Sequence, residues 1–181
     1  TAQGPKDVRE SVAQALAAAG AKVAVMDINE DAAQAMAKEI GGIALPCNVT
    51  DAAAAEAAIA RMCDEIGAPR IVVNCAGIGN AGRIVGRNGP LNLEHFATVI
   101  NVNLIGTFNI MRLAAAEMIK LDALDTEERG VIINTSSVAA FDGQVGQAAY
   151  AASKGAIASM TLPAAREFGR FGVRVMTIAP G

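Results

Sequence analysis

A doubly wound α/β fold, a parallel sheet with helices on both faces, is what this chain predicts, and three observations carry the prediction. Short β-branched runs are apolar on both faces, as strands covered from both sides must be. Patterns with one apolar helical stripe alternate with those runs, and such alternation with short joints calls for parallel strands and right-handed crossovers. The composition is 52% hydrophobic and only 3% aromatic, with 18 glycines among 181 residues, which suits close helix-on-sheet packing better than a β-sandwich. The length fits a single domain, 1–181, large enough to bury a substantial core.

The elements follow in order. Residues 1–7 contain no apolar strand. Val8, Val12, Ala15, Leu16 and Ala19 form a helical stripe closed by Gly20. A strand over Ala21–Met26 leads to Asp27, and a helix begins at Glu30; Ile43–Leu45 is a shorter strand. Ala55, Ile59, Met62 and Ile66 make a second stripe, closed by Gly67. Strands are expected over 70–74, 130–134 and 173–178, and longer helices over 94–120 and 148–168. No internal repeat or low-complexity linker divides the chain.

Net charge is −3 and no basic block occurs, so no nucleic-acid partner is expected. No apolar stretch approaches the roughly 18 residues of a membrane span, and no signal-peptide pattern is present, so no membrane partner is expected. Cys47, Cys63 and Cys75 are odd in number and lack metal-ligand or CxxC spacing, which points to a reducing, cytoplasmic setting. His95, the one histidine, reads as a solvated residue at a helix start, so no metal site is expected.

Chemistry concentrates at Tyr150-Ala-Ala-Ser-Lys154, with Ser137 thirteen residues upstream. Positions i and i+4 share one helix face. A phenol titrating near ~10 is a poor acid–base group at neutral pH, and an adjacent ammonium favours the phenolate and makes proton transfer easier. Ser137 is placed to hydrogen-bond the same substrate oxygen. The trio suits chemistry at a carbonyl or alcohol carbon. A Tyr/Lys pair at this spacing is by itself usually a surface pair, so its neighbours must decide.

Gly77-Ile-Gly79-Asn-Ala-Gly82 matches G-x-G-x-x-G after a strand, but residues 83–90 read as loop. A dinucleotide fingerprint must open a helix whose N-terminus meets the pyrophosphate, so this match is rejected. The true phosphate loop belongs before the helix at 8–19, where only Gly4 stands, with Asp7 and Arg9 where bare backbone is wanted. Asp27, at a strand end, is suited to accept hydrogen bonds from ribose hydroxyls and to repel a 2′-phosphate, which favours NAD over NADP. It is equally suited to be the turn residue before the Glu30 helix.

Five motifs in order complete the pattern: Asn74-Cys-Ala-Gly77, Asn101-Val-Asn-Leu-Ile-Gly-Thr107, Asn134-Thr-Ser-Ser137, Tyr150-Ala-Ala-Ser-Lys154 and Ala179-Pro-Gly181. With them the chain resembles the short-chain dehydrogenase/reductase family over essentially all its length, which implies a Rossmann-like fold. The run from Gly130 to Tyr150, Gly106-Thr-Phe-Asn109 and the extra polar segment Lys120–Arg129 are similar to the type-2 3-hydroxyacyl-CoA dehydrogenases, which also act on hydroxysteroids. The resemblance implies Tyr150 as general acid/base and as a cofactor contact, Lys154 as its electrostatic helper and nicotinamide-ribose ligand, Ser137 on the reacting oxygen and Asn103 supporting a proton-relay water. It implies that Asp27, Asn48, Val49 and the Cys75, Ala76 and Gly77 backbone line the adenosine side of NAD, with Pro180 and Gly181 near the nicotinamide. It further implies a small-molecule substrate, an acyl-CoA or a steroid-like compound, and a homotetramer.

The departures are specific. The family's TGxxxGxG loop is not recognisable before Val8, Asn48 stands where an Asp usually contacts adenine, and Arg70 replaces an acid with no evident reason. The first strand and the C-terminal substrate segment are not in the sequence, and bare sheet edges are costly. The 181 residues are therefore expected to be part of a longer polypeptide, an expectation that an intact mass near 18.4 kDa would contradict. The expected activity is NAD-dependent interconversion of a secondary alcohol and a ketone. The alternative is a catalytically silent relative that has lost dinucleotide binding.

Overall fold

A computed structural model describes residues 8–181. The chain divides into two compact units at Gly67–Ala68. The expectations for residues 1–7, including the lost phosphate loop around Gly4 and Asp7, lie outside the described residues.

The first unit runs α1 (Val8–Ala18), β1 (Ala24–Asp27), α2 (Glu30–Ile40), β2 (Ile43–Pro46) and α3 (Ala52–Ile66). Strands β1 and β2 pair in parallel, from Ala24 opposite Ile43 to Asp27 opposite Pro46, so α2 is a crossover. Asn29 caps α2 by accepting the Ala32 N–H, and Gly41 ends it at φ 67°, a left-handed conformation that glycine adopts without a Cβ penalty. Ala33, Met36 and Ala37 are buried at i, i+3 and i+4. Helix α3 buries Ala55, Ile59 and Met62 as expected, and Ala58 with them. Two expectations are corrected. The first strand starts at Ala24 rather than Ala21 and includes Asp27. The stripe of α1 is displaced: Ala13 is buried while Ala15 and Ala19 are exposed, because alanines on both faces blur the apolar period.

The second unit contains β3 (Ile71–Asn74), a small hairpin β4 (Val85–Gly86) and β5 (Gly89–Pro90), α4 (Leu93–Ile100), a π-helical turn (Asn101–Ile105), α5 (Gly106–Met118), β6 (Gly130–Thr135), α6 (Ala148–Gly169) and β7 (Val173–Ile178). Its sheet has the order β3-β6-β7, all parallel, with Ile71 opposite Val131 and Gly130 opposite Val173. The core cluster joins Met111, Ala115 and Met118 of α5 to Ile132, Val173 and Val175 of the sheet and Ala164 of α6. The fold class is thus α/β and Rossmann-like, as predicted. The segment read as loop over 83–90 carries a two-residue hairpin. Leu93–Met118, expected as one helix, is interrupted by the π turn. At 26 residues with a mean hydropathy of 1.3 over its most apolar window, it is long and apolar enough to cross a membrane, which corrects the expectation that no such stretch exists. Half of that window is buried inside the molecule, as in the core helix of a globular fold.

The polar segment after α5 is pinned in place. Arg129 donates from Nε to the Leu121 carbonyl at 2.7 Å and from Nη1 to that of Phe171 at 2.8 Å. Arg70, unexplained by sequence, donates to the carbonyls of Arg129 and Asp122 at 3.2 and 3.1 Å, tying the same segment to the start of β3. Gly172, at φ 71°, passes so close to the Glu127 carbonyl that a Cβ there would collide with it.

Candidate active site

Strands of a parallel sheet end together, and the loops beyond their carboxyl ends are where such folds place their sites. In the second unit those ends carry Asn74, Thr135 and Ile178. Asn74 and Asn134 are paired partners in the register, and the buried Asn74 Nδ2 donates to Asn134 Oδ1 at 2.9 Å. This bond ties the strand ends before they diverge. Beyond β6, Ser136 N–H donates to the Ile178 carbonyl and Val138 N–H to that of Pro180, both short bonds that hold Pro180 beside the Ser137 turn. Ser137 is the N-cap of a short 3₁₀ turn, Val138–Ala140, its Oγ accepting the Ala139 N–H at 3.2 Å.

Tyr150 and Lys154 lie in the first turns of α6, on one face as their spacing predicts. The Lys154 ammonium sits 5.6 Å from the centre of the tyrosine ring and donates to the Thr135 carbonyl at 2.6 Å. Ser136 Oγ donates to the Lys154 carbonyl at 2.7 Å, so the strand end grips this residue at both backbone and side chain. Lys154 is only 4% exposed. Burial pushes its ammonium below the usual 10.5, since desolvation disfavours the charged form, and the Coulombic influence of Cys75 acts the other way. Thr135 Oγ1 contacts Cys75 Sγ at 3.9 Å, which puts the first residue after β3 next to the same strand end.

Asn103 is wholly buried in the π turn. There the Gly106 N–H reaches back five residues to the Asn101 carbonyl, and Thr107 Oγ1 donates to the Asn103 carbonyl at 2.6 Å. π turns in α-helices are frequent at functional sites. The Asn103 side chain clasps the loop after β3: Oδ1 accepts the Ile78 N–H at 2.8 Å, and Nδ2 donates to the Ile78 carbonyl at 3.0 Å. Gly77 leaves little room for a side chain here. A Cβ would stand 3.3 Å from Asn103 Oδ1 and 3.6 Å from Lys154 Nζ.

The G-x-G-x-x-G match therefore opens no helix. Gly77 and Gly79 instead form a wall of the site, and Gly79 faces the tyrosine ring, where a Cβ would lie 3.8 Å from Tyr150 Cε2. Gly82 N–H donates to the Gly146 carbonyl at 2.8 Å. A cleft of about 400 Å³ lies beside this wall, lined among others by Ile84, Val85, Val145 and Ala151, next in sequence to Tyr150. His95 differs from expectation: it is half-buried, its Nε2 3.3 Å from the Asn80 carbonyl.

Of the residues expected on the adenosine side, Asp27, Asn48 and Val49 belong to the first unit and Cys75, Ala76 and Gly77 to the second. Asp27 Oδ1 accepts the Asn29 N–H at 2.9 Å, so the turn role is real and leaves the carboxylate at the strand end. Asn48 Oδ1 accepts from both the N–H and the hydroxyl of Thr50, at 3.1 and 2.9 Å, and Val49 follows half-buried. Sequence reasoning missed Thr135, Ser136, Thr107 and Ser153. Only Ser153 carried a signal, lying three residues after Tyr150 on the same helix face.

The sequence and fold match known proteins. The family model for short chain dehydrogenase matches residues 9–181. The 3-hydroxyacyl-CoA dehydrogenase type-2 of Rattus norvegicus is 47% identical over 175 residues, which cover 94% of this chain and 67% of that protein. A crystal structure of 3-hydroxyacyl-CoA dehydrogenase type-2 from Mycobacterium avium superposes with a TM-score of 0.88 at 36% identity, covering 95% of this chain and 70% of that one. A 7α-hydroxysteroid dehydrogenase complexed with NADH and 7-oxo glycochenodeoxycholic acid gives 0.85 at 30% identity, covering 95% and 65%. The chain is an oxidoreductase belonging to the short-chain dehydrogenase family.

Proposed function

We propose that the protein interconverts a secondary alcohol and a ketone with NAD(H), taking 3-hydroxyacyl-CoA to 3-ketoacyl-CoA or the reverse. The single observation that carries the reading is the buried Lys154 ammonium held 5.6 Å from the Tyr150 ring by the Thr135 carbonyl. A buried charge beside a phenol in a wall of bare glycine backbone is an arrangement for proton transfer rather than for packing.

The residues present fit a dinucleotide. Bare backbone at Gly77 leaves space beside Lys154 Nζ that a Cβ would fill, and Asp27 offers a carboxylate at a strand end. Lys154 would hold the nicotinamide ribose, with Pro180 and Gly181 near the nicotinamide. In the second unit the backbone of Cys75, Ala76 and Gly77 would line the adenosine side; in the first unit, taken by itself, Asp27, Asn48 and Val49 are the candidate adenosine contacts. A carboxylate at Asp27 favours NAD, because a 2′-phosphate there meets negative charge. When bound, the cofactor supplies or removes the hydride at the carbinol carbon.

The chain's own residues handle the oxygen. In the reducing direction the Tyr150 hydroxyl gives its proton to the ketone oxygen, and in oxidation the phenolate takes it back. The nearby ammonium stabilises the negative charge that the tyrosine oxygen carries between the two states. Ser137 donates a hydrogen bond to the same oxygen. Asn103 anchors the π turn and supports the water that returns a proton to the tyrosine. The apolar cleft lined by Ile84, Val85 and Val145 suits an acyl chain or a steroid body.

The same proposal extends to a homotetramer in the cytoplasm, supported by the family likeness and by Cys47, Cys63 and Cys75 forming no disulfide. Titration of NADH followed by its fluorescence tests the cofactor assignment. We expect saturable binding, weaker for NADPH. A folded, full-length protein that binds neither nucleotide would contradict the reading.

A further inference from the structure

We propose that Ser153 is a positioning residue for the reaction at Tyr150, its hydroxyl linking the tyrosine's own helix turn to the loop that faces the tyrosine ring. The inference rests on the function proposed above. Ser153 Oγ donates to the Tyr150 carbonyl at 2.7 Å and accepts from Asn103 Nδ2 at 2.9 Å. Asn103 grips Ile78 by both backbone groups, at 2.8 and 3.0 Å. Ile78 leads directly to Gly79, which faces the Tyr150 ring across the space a methyl group would fill, a Cβ there falling 3.8 Å from Cε2. The chain of bonds thus couples the tyrosine's helix turn to the loop opposite its ring.

Two alternatives separate this role from ordinary packing. A serine inside a helix often bonds back to its own backbone and nothing more. Ser153 also accepts, from a side chain on a different element, and both it and Asn103 are 0% exposed. The donor and acceptor count leaves little freedom. Ile78 presents one N–H and one carbonyl to Asn103, so a flipped amide would set donor against donor and acceptor against acceptor. With the amide so oriented, the second Nδ2 proton requires an acceptor at Ser153, and the serine proton is already directed to the Tyr150 carbonyl. Alanine at 153 would leave that Nδ2 proton without its acceptor inside the fold. The Tyr150 carbonyl would lose less, because it keeps its helical position. The disturbance therefore falls on Asn103, and through Ile78 and Gly79 on the tyrosine ring.

The test is a double-mutant cycle in the full-length protein with Ser153→Ala, Asn103→Ala and both together, supported by Ser153→Thr, which restores a hydroxyl. An unsatisfied buried donor corresponds to a loss of about tenfold to a hundredfold, and we expect Ser153→Ala to lose kcat by that factor with NADH affinity nearly unchanged. Residues acting through one another are non-additive, so the double variant should be no slower than Asn103→Ala alone, and Ser153→Thr should recover most of the rate. Wild-type kcat in Ser153→Ala, or losses that multiply, would overturn the proposal. Hydrogen exchange of the Asn103 side-chain amide gives a readout without turnover: slow in the wild type, fast in Ser153→Ala. Wild-type protein that turns over no alcohol or ketone would sink the proposed function, whereas unchanged exchange in Ser153→Ala would sink the Ser153 role. Should Ser153→Ala not fold, Ser153→Cys keeps a weaker donor and acceptor. Faster exchange with an intermediate rate is then expected, and wild-type behaviour would overturn the proposal.

Discussion

Lys154 shows how a single side chain joins fold and chemistry. Its ammonium is buried against the Thr135 carbonyl, and desolvation lowers its pKa from 10.5. A lysine whose folded pKa is depressed binds its proton more weakly folded than unfolded. The resulting penalty is full at pH below the folded pKa and fades as pH rises toward 10.5. Stability measured against a Lys154→Met variant should therefore shift in favour of the wild type across the window just below 10.5, read by urea titration at a series of pH values. A difference that stays flat through that window would mean the ammonium is not desolvated as described. The Tyr/Lys spacing, and the strand end carrying Ser137, were legible in the sequence because helix geometry fixes which residues share a face. The partner of Lys154 was not, since a backbone carbonyl leaves no mark in a sequence.

At the scale of elements, the strands and most helices could be read because apolar runs and stripes follow local periods. The π turn could not: Asn101–Ile105 has ordinary helical composition, and the shift to a five-residue hydrogen bond is imposed by what surrounds it. The G-x-G-x-x-G match was correctly set aside because helix-opening context was missing, yet two of its glycines stand where a Cβ would crowd a neighbour, Asn103 at Gly77 and Leu91 at Gly82. The polar segment before β6 gives the element-scale prediction. Arg129 bonds two loop carbonyls, to Leu121 and Phe171. Replacing it with alanine should cost about 1–2 kcal/mol of unfolding free energy, measured by denaturant titration. NADH affinity should hold, and a parallel loss of affinity would mean the segment also shapes the site.

For the whole molecule, the α/β class and the family follow from motifs whose order constrains topology more than any one motif does. Asn74, Asn103, Ser137 and the Tyr150–Lys154 turn are separated in sequence, and the parallel β3-β6-β7 sheet brings its strand ends, Asn74 and Thr135 among them, to one side. Substrate choice was less legible, because an apolar cleft selects size and shape through surfaces that no short motif encodes. The central claim is that Tyr150 passes the proton while NAD(H) carries the hydride. Its most direct measurement is loss of NADH absorbance when a 3-ketoacyl-CoA is added to wild-type protein and to Tyr150→Phe, with NADH affinity measured in both. The account predicts steady consumption by the wild type and at least a ~10²-fold slower rate in the variant, the low end for a positioned acid–base group, at nearly equal affinity. Comparable rates in the two proteins would contradict it.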